Sequence, residues 1–315
     1  MRINDFRVMI SDFRFDEETT RLPLDTRHLP LIMKTCLDCI PCFVRQTLDA
    51  ARMSSADPAV HEKLIRDVLR WLSEMDMSLS PPALAQRIHR RLRELTGVED
   101  PYREQKDQHN QMALQLLPGL RTQVAASNDP LMTAANLAVA GNIIDLGAKS
   151  GLNENEIHDA IRHAAGQPLE GDRERFRQEV ARAKKILYLA DNCGEIVFDR
   201  LLVEQLGAHR VTVAVRGMPI INDATLVDAQ TAGLDQIVRV IENGSDAPGT
   251  LLDDCSREFQ TAFEASDLIV SKGQGNFETL SHCGKNIFFL FKAKCPVVAN
   301  SVNLPIGTHV LWRFR

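Results

Sequence analysis

Asp191-Asn192-Cys193-Gly194-Glu195 follows the apolar run Ile186-Leu187-Tyr188-Leu189-Ala190 without a break. A carboxylate beside an amide oxygen suits a hard divalent cation, which prefers oxygen donors. Adjacent side chains cannot share one face of a regular strand, so the chain must turn here, and Gly194 makes the turn easy. A second β-like run, 210–215, leads to Arg216 and then to Asp223, a third oxygen donor. The third, 267–270, exits into Ser271-Lys272-Gly273-Gln274-Gly275-Asn276. Glycines there allow close backbone approach to an anion, and a lysine neutralises it. Acid, amide, second acid and lysine at successive strand ends describe a dication beside a phosphate.

Positioning these groups takes a sheet. From Lys185 onward, β-branched and aliphatic runs at 186–190, 210–215, 236–241, 267–270 and 286–291 alternate with helical spacing at 196–206, 224–231 and 250–264. That alternation predicts an α/β domain with strands buried on both faces and its site outside their carboxyl ends. Before residue 181 the period is helical. Leu64, Ile65, Val68, Leu69 and Leu72 recur every three to four positions, and further helices are expected over 84–92, 103–117, 130–142, 153–164 and 171–183. The expectation is a mostly helical region over 1–180 and an α/β metal- and phosphate-binding domain over 181–315.

Composition excludes several classes. The 315 residues are 44% hydrophobic and 25% charged, as in ordinary globular chains, and the formal charge of −5 provides no general attraction for nucleic acid or an anionic membrane. No apolar run approaches bilayer length, and no signal-like segment opens the chain. A cytoplasmic protein with a small-molecule partner is expected; oligomeric state stays open. GxxxxGK[ST] is absent, and Glu278 stands where the third glycine of GxGxxG would fall, so neither a P-loop nor a dinucleotide fingerprint is present.

Seven cysteines without a secretion signal do not make a disulfide scaffold. Three of them, Cys36, Cys39 and Cys42, fall within seven residues. Their spacing admits a structural zinc or iron centre with a fourth ligand from elsewhere, a redox-active pair, or packed thiols.

The chain also resembles a known family. The matching residues are Cys36-Leu37-Asp38-Cys39-Ile40-Pro41-Cys42, Asp100-Pro101-Tyr102 with Lys106 and Asn110, and Gly141-Asn142-Ile143-Ile144-Asp145-Leu146-Gly147. They continue through Asp191-Asn192-Cys193-Gly194-Glu195-Ile196, Asn222-Asp223-Ala224-Thr225 and Ser271 to Glu278. Together they resemble the damage-control phosphatases (DUF89), in the prokaryotic branch with an N-terminal CxxC motif. The resemblance implies a Rossmann-like three-layer α/β/α domain behind a helical region. It also implies hydrolysis of small phosphorylated metabolites with Mn²⁺, Co²⁺, Ni²⁺ or Mg²⁺ held by Asp191, Asn192 and Asp223.

Within that frame Asp191, Glu195 and Lys272 are the candidate catalytic residues. Lys106, Asn110, Asn142, Asp145, Arg216, Gly273, Gly275 and Asn276 are candidates for phosphate or substrate. Cys36, Cys39 and Cys42 are candidates for a second metal. An activated water is the preferred nucleophile, with Asp191 itself as the alternative. Rival functions are protein carboxyl methylation, a non-catalytic metal- or metabolite-binding regulator, and an iron–sulfur redox protein.

Overall fold

Apolar runs buried on both faces become the centre of a sheet. The computed structural model describes residues 33–144 and 154–313. Its strands are β1 (Leu169–Gly171), β2 (Ile186–Leu189), β3 (Val211–Val215), β4 (Arg239–Glu242), β5 (Leu268–Lys272), β6 (Ile287–Lys292) and β7 (His309–Trp312). They lie in the order β1-β7-β6-β5-β2-β3-β4. Every pairing is parallel except β6 with β7.

The helices are α1 (Cys39–Ser54), α2 (Pro58–Glu74), α3 (Pro81–Thr96), α4 (Arg103–Ala125), α5 (Pro130–Ala140), α6 (Glu154–Ala165) and α7 (Arg173–Arg182). In the second half come α8 (Glu195–Leu206), α9 (Leu226–Thr231), α10 (Arg257–Ala265), α11 (Gln274–Leu280) and α12 (Pro296–Ser301). Strand alternation divides the core in two. Ile186 and Tyr188 of β2, with Leu268 and Val270 of β5, pack on one side with α4, α5 and α8. Leu187, Leu189 and Ile269 pack on the other with Phe259, Phe263 and Phe277 of α10 and α11. Each large apolar side chain so buried contributes about 1.5–3 kcal/mol. The result is the expected three-layer α/β/α arrangement.

A third cluster holds α1, α2 and α3 together through Phe43, Leu64, Val68, Leu84, Ile88 and Leu92. Local signals set these helix ends. Asp57 accepts from the Ala59 N–H ahead of Pro58, and Gly97 closes α3 at φ 69°. This layer is tied to the sheet by charge. Arg90 Nη2 donates to Asp246 Oδ1 at 2.6 Å, Gln86 donates to the same oxygen at 2.6 Å, and Arg93 pairs with Oδ2.

Several features differ from expectation. β1 and β7 carry no strand signal long enough to read, yet they pair with each other at the sheet's edge. β1 therefore draws a segment before residue 181 into the sheet. The helix expected over 250–264 is a 3-10 turn at Leu252–Asp254 followed by α10, because Ser256 accepts from the Phe259 N–H and starts a new helix there. Among the described residues, no helix is long and apolar enough to cross a membrane.

Candidate active site

Strand order reverses around β2. The chain runs from β2 to β3 and β4 on one side, then returns to β5 and β6 on the other. Such switch points open a crevice at the carboxyl ends of the strands, and Asp191 and Asn192 stand in it. Their loop is stitched to the one after β3. The Ala224 N–H donates to the Asp191 carbonyl at 2.8 Å, the Cys193 N–H donates to the Asn222 carbonyl at 2.9 Å, and Asn192 bridges Asp223 in antiparallel fashion. Gly194, at φ 68°, turns the chain into α8, and its N–H donates to Asn110 Oδ1 at 2.7 Å. Across the crevice, Gly273 (φ 82°) makes room for the Asp191 carboxyl. A Cβ there would stand 2.1 Å from Asp191 Cγ.

Asp191 and Asp223 flank one guanidinium. Arg216 Nε donates to Asp223 Oδ2 at 2.7 Å, and its Nη2 lies 3.8 Å from Asp191 Oδ1 without making a hydrogen bond. The same arginine is anchored through Nη1 to Asn276 Oδ1 at 3.1 Å and to Thr250 Oγ1 at 3.4 Å. Burial pushes Asp191 up to about 8, helped by the charges of Asp223 and Glu195 and opposed by Lys294 and Arg216. Asp223 is also raised by burial, against the pull of Arg216, Lys106 and Lys294. Two carboxyls under this strain lack positive charge.

Beside them lies a second acidic group in which the cation is fully bonded. Lys272 Nζ donates to Glu195 Oε1 at 2.5 Å, Asp199 Oδ1 at 2.6 Å and the Ala138 carbonyl at 2.8 Å. An ammonium has three donors, and all three are used. Burial would lower the lysine's pKa, but the two carboxylates overcome this and raise it. Asp199 is pushed up to about 6 by burial, against the lysine's charge. The expected phosphate-neutralising lysine thus has its ammonium turned into the core, toward α5 and α8. Glu195 extends the lattice toward Asn192. Its Oε2 accepts from Asn192 Nδ2 at 2.9 Å and from Asn142 Nδ2 at 3.3 Å, while Asn192 Nδ2 also donates to Asp191 Oδ2 at 2.6 Å.

Other expected residues divide in the same way. Lys106 is fully buried against Asp228 at 3.2 Å and Asp100 at 3.4 Å, and Asn110 Nδ2 donates to Asp228 at 2.8 Å. Both sit in a network behind the crevice. Gly275 is a packing glycine, since a Cβ would lie 2.1 Å from the Pro248 carbonyl oxygen. Asn276 holds Arg216. Asp145 lies outside the described residues. Cys36 and Cys39 approach to 3.6 Å, whereas Cys42 is exposed on the next turn of α1. Burial drives the Cys39 thiol up to about 12 and also raises Cys42, so neither is a ready thiolate. Among the described residues, no group of three or more His, Cys, Asp or Glu side chains is placed to hold a metal. The three cysteines are not assembled as a ligand set.

At the crevice the available donors are two carboxylates and the Asn192 amide oxygen, which the side-chain hydrogen bonds through Nδ2 leave over. That set fits a hard dication in donor type, and the burial that raises Asp191 and Asp223 is a cost that positive charge there would offset. Reading the sequence missed one contributor. Lys294, exposed after β6, acts electrostatically on both Asp191 and Asp223. It follows the same strand-exit pattern as the other site loops. Asp199 reads from the sequence as a partner for Arg200 or a neighbouring basic residue, and the structure gives it Lys272 instead.

A doubly wound sheet with paired acids and an arginine at its switch point defines an α/β protein with a buried ionic site at the carboxyl ends of its strands. The profile of the damage-control phosphatase ARMT1-like domain matches residues 35–310. A damage-control phosphatase of Archaeoglobus fulgidus is 37% identical over 285 residues, covering 88% of this chain and 98% of that protein. One from Pyrococcus horikoshii is 33% identical over 287 residues, covering 89% and 98%. The crystal structure of a DUF89 family protein from P. horikoshii superposes with a TM-score of 0.82 at 32% identity, covering 90% of this chain and all of that one. An uncharacterised Methanocaldococcus jannaschii protein is 36% identical over 287 residues, covering 87% and 93%. The chain belongs to the damage-control phosphatase family. With that membership comes a metal-dependent phosphatase function toward small metabolites.

Proposed function

We propose that this chain hydrolyses small phosphate monoesters at the crevice between Asp191 and Asp223, with Mn²⁺, Co²⁺, Ni²⁺ or Mg²⁺ held by Asp191, Asn192 and Asp223. The observation that carries this reading is the pair of buried, electrostatically strained carboxyls on either side of one guanidinium. When bound, the dication polarises a phosphoryl oxygen and acidifies a water.

The chain's own residues do the rest. Arg216 Nη2, buried 3.8 Å from Asp191 Oδ1 without a hydrogen bond, takes a phosphoryl oxygen in this reading and stabilises the charge that grows during transfer. Lys294 supplies a second positive charge from the exposed rim, the part first assigned to Lys272. Glu195 orients the Asn192 amide through its Oε2, while Lys272 fixes Glu195 through its Oε1. Asn276 and Thr250 hold Arg216 at its angle. Asn110 fixes the turn at Gly194 and so the aim of Asp191 and Asn192.

The test is phosphate release from a panel of phosphate esters by metal-stripped protein, before and after adding each dication. Restoration by at least one ion, lost in Asp191→Ala and Asp223→Ala variants that still fold, supports the assignment. Equal release by these variants overturns it.

A further inference from the structure

Three loops that carry the crevice each send a neighbouring residue into a second space. Ile221 stands two before Asp223, Gln274 follows Gly273, and Cys295 follows Lys294. All three line one cavity of about 270 Å³. Its remaining walls come largely from the helical layer, including the apolar side chains of Phe43, Pro81 and Pro82. The loops that bear the crevice therefore also wall this cavity.

The charge of the cavity is one-sided. Asp38 and Glu278 line it, and no lysine or arginine is among the described residues that do. Asp38 is exposed, but Glu278 is only 8% exposed. Its Oε1 accepts a hydrogen bond from Gln274 Nε2 at 2.8 Å. Gln274 is itself fixed, its Nε2 reaching Cys295 Sγ at 3.5 Å and its Oε1 accepting from the Lys294 N–H at 3.2 Å. Burial pushes Glu278 up to about 7, and no cationic side chain offsets it. A carboxylate buried without a counter-charge is costly, and a ligand bringing that charge recovers the loss.

We infer that this cavity seats the leaving group of the phosphate ester, and that Glu278 selects a leaving group ending in an ammonium or other N–H donor. The leaving-group part rests on the hydrolytic reading; the preference of the cavity for a cation does not. Apolar walls suit a short carbon chain between the phosphate and that donor. The Glu278 contact is one of binding and is expressed in KM.

Two measurements test this. The first compares 4-aminobutyl phosphate with butyl phosphate as substrates of wild type and Glu278→Gln. The wild-type kcat/KM ratio is expected to favour the amine at least about tenfold, through KM, as for one charge-assisted hydrogen bond. In Glu278→Gln the ratio falls to near one. The second is calorimetric titration with n-butylammonium, expected to weaken about tenfold or more in the variant. Identical ratios and identical titrations in the two proteins overturn the inference. If no ester releases phosphate from wild type with any dication, the hydrolytic reading fails, and the titration still decides the cavity. Should Glu278→Gln not fold, Glu278→Asp keeps the charge but shortens its reach. A reduced amine preference in it supports the inference, and an undiminished one overturns it.

Discussion

Two acidic groups lie at the carboxyl edge of β2 and β5, each with two carboxyls around one basic side chain, and they differ in how fully that cation is bonded. The first, Glu195 and Asp199 around Lys272, has its ammonium fully bonded. The second, Asp191 and Asp223 around Arg216, leaves one guanidinium nitrogen without a hydrogen bond and both carboxyls raised. Similar residues, buried to similar depth, thus do different work. Where the cation is fully bonded, the cluster holds elements together. Where the cation keeps an unbonded nitrogen, the cluster has capacity left for a ligand, and Glu195 connects the two.

The sharpest break in this contrast comes from the second group. Asp191→Ala or Asp223→Ala is expected to lower metal-dependent phosphate release by at least ~10³-fold, with circular dichroism unchanged. Lys272→Met attacks the first group and should act on stability. Leaving two carboxylates buried without their cation costs about 3–5 kcal/mol, read from urea unfolding.

A neutral buried group, His89, offers a control outside both clusters. Burial, then the charge of Arg93, lowers its pKa from 6.5 to about 4. Between those values the unfolded chain binds the extra proton, so stability is full above pH 6.5 and is lost as pH falls toward 4. The loss reaches about 3 kcal/mol in unfolding measured across that window, and His89→Gln should flatten this part of the profile. The smallest effect has the opposite sign to the others. Asp191→Asn removes one of two repelling carboxyls and should stabilise the metal-free protein by about 1–2 kcal/mol, seen as a higher melting temperature. A destabilised Asp191→Asn protein would erase the distinction between the clusters.

Much of this arrangement was readable because the central strands are buried on both faces. Unbroken apolar runs ending in Asp191-Asn192 and in Lys272-Gly273 locate the strand ends without a structure. The direction of the Lys272 side chain is also legible in the sequence. Leu268, Val270 and Lys272 share one face by the two-residue period of a strand, so the lysine had to point into the layer holding α5 and α8. Lys106 and Asn110 read from the sequence as phosphate or substrate contacts, and Asp228, the partner they meet in the structure, lies too far along the chain for any spacing rule. β1 was invisible for a different reason. Three residues, one charged and one a glycine, carry no periodicity, and only β7 makes them a strand. The cysteines show the limit of motif reading, since their spacing describes reach along a helix and says nothing of what stands opposite.

That late strand has a kinetic consequence. β7 is inserted between β6 and β1, and β1 precedes the whole crevice-bearing half in sequence. During synthesis β1 has no neighbour until β7 emerges, and β6 presents an open edge in the meantime. Closing so long a loop is entropically slow. Nascent chains halted between β6 and β7 would therefore be a point of chaperone demand and of edge-to-edge association, even though every residue of the crevice has already been made.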